Sequence, residues 1–296
     1  MNPNSKLASQ IGGKTFIITA EYLPVTSTEA AIDAGTFGSR VTAVNVADNH
    51  YGVSLSSLAG SMALTRAGIE PIFQITTRDR NRIALQSDLL GAASLGIRNV
   101  LCLSGYHQTL IGCGESANVF DVDSIQLIDI VKKMNNGQLL DGTSIQGNFG
   151  MLIGAAANPN LKPIELNLLR LRKKVAAGAH FVQTQSVFDV DEFKVWLEAV
   201  RKAGLADQTA ILAGVLPLKS AAQAKELTET HTDFVIPETI INRLTAAGNH
   251  EAQKNEGVKI AAELIKKLKG LPGLKGVHIL SGGNESTVNE LLAAAS

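Results

Sequence analysis

Cysteine is scarce. Cys102 and Cys113 are the two thiols in 296 residues, and Cys102 lies inside an apolar run. That usage argues against a disulfide framework and for a reducing, cytoplasmic compartment. An excess of either charge is also missing. Lys plus Arg total 27 and Asp plus Glu total 27, so no basic surplus is available to neutralise a nucleic-acid backbone. Nowhere do eighteen apolar residues run together, and the opening "MNPNSKLASQIGG" has neither a charged n-region nor an apolar h-region. Neither a membrane span nor a signal peptide is therefore expected. The six histidines are scattered without an H-E-x-x-H pair, and no Cys/His group has zinc spacing, so no metal site is expected. A G-x-G-x-x-G after the first strand is absent too. Its absence counts against an open dinucleotide-binding sheet, and the nearest string, "GCGES" at 112–116, reads as a loop.

What the sequence does contain is alternation. Short runs rich in Val, Ile and Phe recur between longer segments of helical period. Eight strands are expected, at 15–22, 43–48, 71–77, 99–105, 150–158, 180–187, 210–218 and 276–282. Between them, segments such as 54–68, 80–96, 164–178 and 191–204 read as helices closed by glycine. Strand then helix, repeated, implies parallel strands with crossover helices, and the continuously apolar strands fit burial on both faces. The α/β class follows. Eight units favour a single (β/α)₈ TIM barrel spanning 1–296 over an open sheet. An extra turn and helix are expected near the C-terminus, in "TDFVIPETIINRL" (232–244).

In such a barrel the chemistry sits at the C-terminal ends of the strands. Those ends bring together Glu21 and Tyr22; Asp48 and Asn49; Gln74, Thr76 and Arg78; Tyr106 and His107; Asn158; Gln183 and Gln185; Lys219; and His278. Carboxylates are few and no Ser/His/Asp set is placed for nucleophilic attack. Amides dominate, and each offers donors and acceptors that suit a heterocycle with a mixed edge, such as a pterin or flavin.

The residues themselves resemble those of the methylenetetrahydrofolate reductases, flavin-containing (β/α)₈ barrels of one-carbon metabolism. The resemblance rests on "ITAEYLP" (18–24), "VNVADN" (44–49), "EPIFQITTRDRNRIALQSDLLGA" (70–92), "GIRNVLCLSG" (96–105), "VFDVDSIQL" (119–127), "KKVAAGAHFVQTQSVFD" (173–189), "LAGVLPLKS" (212–220) and "GVHI" (276–279). It implies conversion of 5,10-methylenetetrahydrofolate to 5-methyltetrahydrofolate through FAD. The cofactor supplies hydride chemistry while the protein positions rings and protons. On this resemblance Glu21 is the acid that protonates the departing N10; a strand-end glutamate that merely meets solvent or pairs with an arginine is the plain alternative. Gln185 is the folate-binding glutamine. Gln183, placed on the same face by period two, and Gln74 join it, although inward amides can also satisfy each other. Asp48, Asn49 and Asn158 are further pterin partners. Lys174 is the phosphate contact of FAD, and Thr76, Arg78 and His107 are further cofactor contacts. In "RDRN" (78–81), backbone N–H groups and a guanidinium could together hold a phosphate. Asp79 could instead simply cap the helix that follows and pair with Arg82.

Two positions depart from the pattern. Tyr106 stands where the family has an aspartate beside the flavin and pterin, so a neutral phenol replaces a charge, with Asp48 the nearest group to supply one. Asn167 replaces an acidic FAD contact, and its amide can still bond a ribose hydroxyl. These departures keep a second reading in view: a flavin-free relative that exchanges a methyl group between tetrahydrofolate and a corrinoid protein. A third, a catalytically silent folate-binding subunit, is disfavoured by the retention of Glu21. The resemblance to shorter bacterial members also implies an electron-transfer subunit as partner and an oligomeric assembly.

Overall fold

A computed structural model describes residues 4–28, 32–33, 35–230 and 234–295 of the protein. Eight parallel strands follow one another round a closed barrel: β1 (Ile17–Tyr22), β2 (Ala43–Val46), β3 (Pro71–Thr76), β4 (Asn99–Leu103), β5 (Leu152–Ala157), β6 (Phe181–Ser186), β7 (Ala210–Val215) and β8 (Leu274–Ile279). β8 closes the ring on β1, with Ile17 opposite Gly276 and Ala20 opposite Ile279. All eight overlap the expected runs. They are mostly shorter at their C-terminal ends, because residues such as Asp48 and Gly105 leave the ladder to build the mouth.

Ten α-helices occur among the described residues. They are α1 (Lys6–Gly12), α2 (Ser57–Arg66), α3 (Arg82–Ser94), α4 (Ser124–Asn135), α5 (Ile164–Ala177), α6 (Val190–Lys202), α7 (Ala221–Thr230), α8 (Glu238–Ala246), α9 (His250–Leu268) and α10 (Ser286–Ala294). α8 is the extra helix expected before the last strand; Thr232 and Asp233 of that stretch lie outside the described residues. The helix after strand three is capped by Asn81, not Asp79: the Asn81 side chain accepts from the N–H groups of Ile83 and Ala84, both at 3.1 Å. Asp79 lies two residues too early to cap the helix and pairs with Arg78 and Arg80, while Arg82 pairs with Asp121.

Alternate residues of each strand point inward, and their character changes along the barrel axis. At the N-terminal end Ile17, Ala43, Ile72, Leu101, Leu152, Phe181 and Leu212 pack into an apolar plug closed by Leu7 of α1. Full burial of that one leucine contributes about 2 kcal/mol. α1 is held there because the N–H groups of Lys6 and Leu7 donate to the Glu70 carboxylate at 2.7 and 3.0 Å, a negative charge at a helix N-terminus. Gly154 leaves room for Phe181; a Cβ there would fall 2.2 Å from the ring. One or two steps further up the strands the inward residues become Thr19, Asn45, Gln74, Gln183 and His278, and the interior turns polar. The second and larger apolar core lies outside the sheet, beneath the helices.

Candidate functional site

The polar layer is built first. Gln183 of β6 and Asn45 of β2 exchange amide hydrogen bonds across the barrel at 2.6 and 3.0 Å. The same Gln183 amide donates to the Thr19 hydroxyl at 3.1 Å, and Thr19 meets His278 Nδ1 at 3.0 Å. Burial pushes the His278 pKa down to about 3, so the ring is neutral. These four side chains form a floor. Above it opens a cavity of about 370 Å³ at the C-terminal mouth, within the range of small-molecule sites.

Glu21 enters this cavity from the end of β1, almost wholly buried. Burial pushes its pKa up from the ordinary 4.5 to about 7; hydrogen bonds from the backbone N–H groups of Gly282 and Ser281 pull it partway back, and the Glu285 carboxylate pushes it up. The result is a carboxyl group that both holds and releases a proton near neutral pH. Much of the Tyr51 side chain is exposed, yet desolvation at its hydroxyl, and then the charge of Glu21, drives its pKa up to about 12.

Gln74 of β3 is buried in the cavity wall, and its side chain makes no hydrogen bond to any described residue. Its amide is a ready donor and acceptor for a ligand. Gln185 and Asn158 also line the cavity. The strand register shifts between Gln183 and Ser186, so strict alternation ends at Gln183 and a bulge carries Thr184 and Gln185 into the wall. Gln183 satisfies Asn45, not Gln185; the Gln185 Oε1 accepts from the Ser186 N–H at 3.2 Å. The Asn158 carboxamide oxygen accepts from the Asn160 N–H at 2.9 Å, shaping the loop after β5.

Asp48 lines the cavity but its charge is already matched. Its carboxylate accepts from Arg80 at 2.7 and 3.2 Å, and from the Thr76 N–H and hydroxyl at 2.9 and 2.8 Å. Asp48 therefore does not supply the uncompensated negative charge expected in place of an aspartate at position 106. Its neighbour Asn49 does not line the cavity; it adopts φ 49° and accepts from the Ser54 N–H at 3.1 Å, a turn residue. Tyr106 does line it, edge-on to His50 at 5.7 Å between ring centres, and His50 is edge-on to Tyr51 at 4.3 Å. His50, the residue after the strand-end pair Asp48 and Asn49, belongs to the cavity wall although no motif marks it.

The second arm of the cavity runs between β4, β5 and α5. Lys174 donates to the Ala156 carbonyl at 2.6 Å, which leaves further N–H donors on its ammonium group. Burial, and then the like charge of Arg170, lower its pKa. Arg170, one helical turn before Lys174, lines the same arm and was also missed, although its i, i+4 relation to Lys174 was readable. The remaining expected cofactor residues are otherwise engaged. The Thr76 hydroxyl binds Asp48 and Asp79. Arg78 is buried against Asp79 at 3.2 Å. Asn167 donates to the Asn158 and Leu161 carbonyls and accepts from the Trp196 indole N–H. His107 lies outside the cavity, where its ring accepts from the Thr109 N–H at the start of a 3₁₀ turn.

Among the described residues no group of three His, Cys, Asp or Glu is placed to hold a metal, and no helix is long and apolar enough to cross a membrane.

Residues 7–296 match the family model described as methylenetetrahydrofolate reductase. Among curated proteins, the chain is 26% identical over 216 residues to the 5,10-methylenetetrahydrofolate reductase of Salmonella typhimurium, covering 72% of this chain and 66% of that one. It is 22% identical over 244 residues to the probable methylenetetrahydrofolate reductase (NADPH) of Caenorhabditis elegans, covering 81% of this chain and 34% of that one. The chain thus spans about a third of the nematode relative and just under two thirds of the bacterial one. Among solved structures, a Clostridium thermocellum protein that binds two copies of 5-methyl-5,6,7,8-tetrahydrofolic acid superposes with a TM-score of 0.62 over 97% of both chains, at 12% identity.

Proposed function

The chain belongs to the methylenetetrahydrofolate reductase family, and from that premise we propose that it acts in folate one-carbon metabolism, reducing 5,10-methylenetetrahydrofolate to 5-methyltetrahydrofolate. The single observation that carries the reading is Glu21: a buried carboxyl group with a pKa near 7, facing a cavity whose neighbouring Gln74 amide awaits a partner.

The chemistry asks for an acid at that place. As the bond from N10 to the one-carbon bridge breaks, Glu21 gives its proton to N10, and the carbon is left as an iminium on N5. A hydride added to that carbon completes the methyl group, and the Glu21 carboxylate regains a proton from water. Gln74 and Gln185 orient the pterin edge, and the floor of Thr19, Asn45, Gln183 and His278 limits how deep the ring sits. The donor set of the second arm fits the diphosphate of FAD: Lys174 and Arg170 present two cations there, with N–H donors left on Lys174. When bound, reduced FAD would supply the hydride. An electron-delivering subunit would then be the protein partner.

A second reading, flavin-free methyl exchange between tetrahydrofolate and a corrinoid protein, is favoured by one observation. Thr76 and Asn167 spend their polar groups within the protein, and Tyr106 brings no charge to the ring end. The visible spectrum of the purified protein separates the two. Flavin absorption near one equivalent, lost in Lys174→Ala and kept in Glu21→Gln, is expected for the reductase. A colourless protein that binds tetrahydrofolate but takes up no added FAD would overturn it.

A further inference from the structure

The loop that follows β8, "LSGGNE" at 280–285, folds over Glu21, and something must hold it there. Gly282 and Gly283 both take positive φ, at 56° and 78°. This turns successive backbone N–H groups to one side, an arrangement that favours an anion. Those of Ser281 and Gly282 are the ones that act on Glu21, lowering its pKa against the effect of burial. The Ser281 hydroxyl accepts from the Gly283 N–H at 3.2 Å, which tightens the turn from within. From outside, Lys219, just past the end of β7, donates its ammonium group to the Gly282 carbonyl at 2.6 Å. Lys219 is itself anchored, because its backbone N–H donates to the Gln223 side chain at 2.7 Å. Gly282 is thus held at its carbonyl by Lys219, while its N–H acts on Glu21.

We propose that Lys219 is a positioning residue for the acid, which acts through the Gly282 carbonyl to keep the Ser281 and Gly282 amides on the Glu21 carboxylate. The proposal rests on Glu21 being the acid of the reaction, but the contact it describes exists whatever the reaction is. The other ionisable groups around Glu21 are Glu285 on the same loop, Tyr51 on the loop after β2, Tyr22 beside it on β1, and His278 on β8. Of these, Tyr22 and Tyr51 are held neutral by raised pKa values and His278 by a lowered one, so Lys219 and Glu285 are the two whose removal changes the charge facing the loop.

The test is direct titration of Glu21 in the full chain. Protein labelled with ¹³C at the glutamate side-chain carboxyl is followed by NMR from pH 5 to 9, with the Glu21 signal identified by its loss in Glu21→Gln. Lys219→Met removes the ammonium group and frees the loop, so the Glu21 midpoint is expected to rise by about half a unit or more. Lys219→Arg should keep the wild-type midpoint, and Glu285→Gln should lower it. In turnover, Lys219→Met should lose kcat by about tenfold with little change in KM. A second measurement does not depend on how well Lys219→Met folds: hydrogen exchange at the Ser281 and Gly282 amides should quicken in Glu21→Gln relative to wild type. An unchanged Glu21 midpoint in folded Lys219→Met, or unchanged exchange at both amides in Glu21→Gln, overturns the proposal. Full activity of Glu21→Gln alongside the expected shifts would instead overturn the reductase reading and leave the positioning contact standing.

Discussion

Replacing Glu21 by glutamine should make the protein more stable, in a way that depends on pH. Each pKa unit is worth about 1.4 kcal/mol, so moving this carboxyl from 4.5 to about 7 leaves its ionised form carrying about 3 kcal/mol of unfavourable burial. Below pH 4.5 the group is protonated in folded and unfolded chains alike, and the wild type bears no penalty. Between 4.5 and about 7 the unfolded chain ionises while the folded one keeps its proton, so stability falls as pH rises, by up to about 1.4 kcal/mol per unit. Above about 7 both states are ionised and the full penalty applies. The substituted glutamine has no proton to lose, although as a neutral acceptor it binds the Ser281 and Gly282 amides less well, a cost of about 1 kcal/mol that does not vary with pH. The stability difference between Glu21→Gln and wild type should therefore grow by about 3 kcal/mol from about pH 4.5 to about pH 8, in the variant's favour. Urea denaturation at closely spaced pH values measures it, and every titrating group not coupled to Glu21 cancels in the difference. A difference that stays flat within about 0.5 kcal/mol across that window would refute the claim that Glu21 holds a displaced proton.

Two further outcomes follow from the site. Gln74→Ala should raise the KM for folate by about tenfold, the worth of one hydrogen bond, while leaving the urea midpoint near wild type, since no described residue bonds the Gln74 amide; an unchanged KM would remove Gln74 from the binding wall. Asp48→Asn leaves Arg80 without its buried partner and should destabilise by about 3 kcal/mol, at the low end for such a loss because Asp79 and Asp88 still bind Arg80 at 3.0 and 2.9 Å. The check is urea denaturation beside Asp88→Asn, which should cost well under about 1 kcal/mol.

The strands were legible because burial on both faces demands continuous apolar runs, and that demand is local. The same is true of the mouth: any residue just past such a run lands near the opening, so Glu21, Gln74 and Tyr106 could be placed without knowing their neighbours. What could not be read were partners far apart in the chain. Nothing local distinguishes Asp48 as the mate of Arg80, Asn45 as the mate of Gln183, or Lys219 as the mate of the Gly282 carbonyl. Gln183 and Gln185 both line the cavity, but the alternative in which they satisfy each other is not realised, for a different reason. Period two assumes an even ladder, and β6 shifts register between Gln183 and Ser186. The capping of α3 by Asn81, by contrast, was open to a local reading, since an asparagine two residues beyond Asp79 is as good a cap.

The belt of Thr19, Asn45, Gln183 and His278 has a consequence for selectivity. Its members turn most of their hydrogen-bonding capacity on one another, so a ligand resting on them finds a surface that is polar in composition but poor in offers. It works as a depth stop. Discrimination by the belt is then by thickness and reach: a ring system is admitted or refused according to whether, once seated on that fixed level, its reactive edge stands at the height of Glu21.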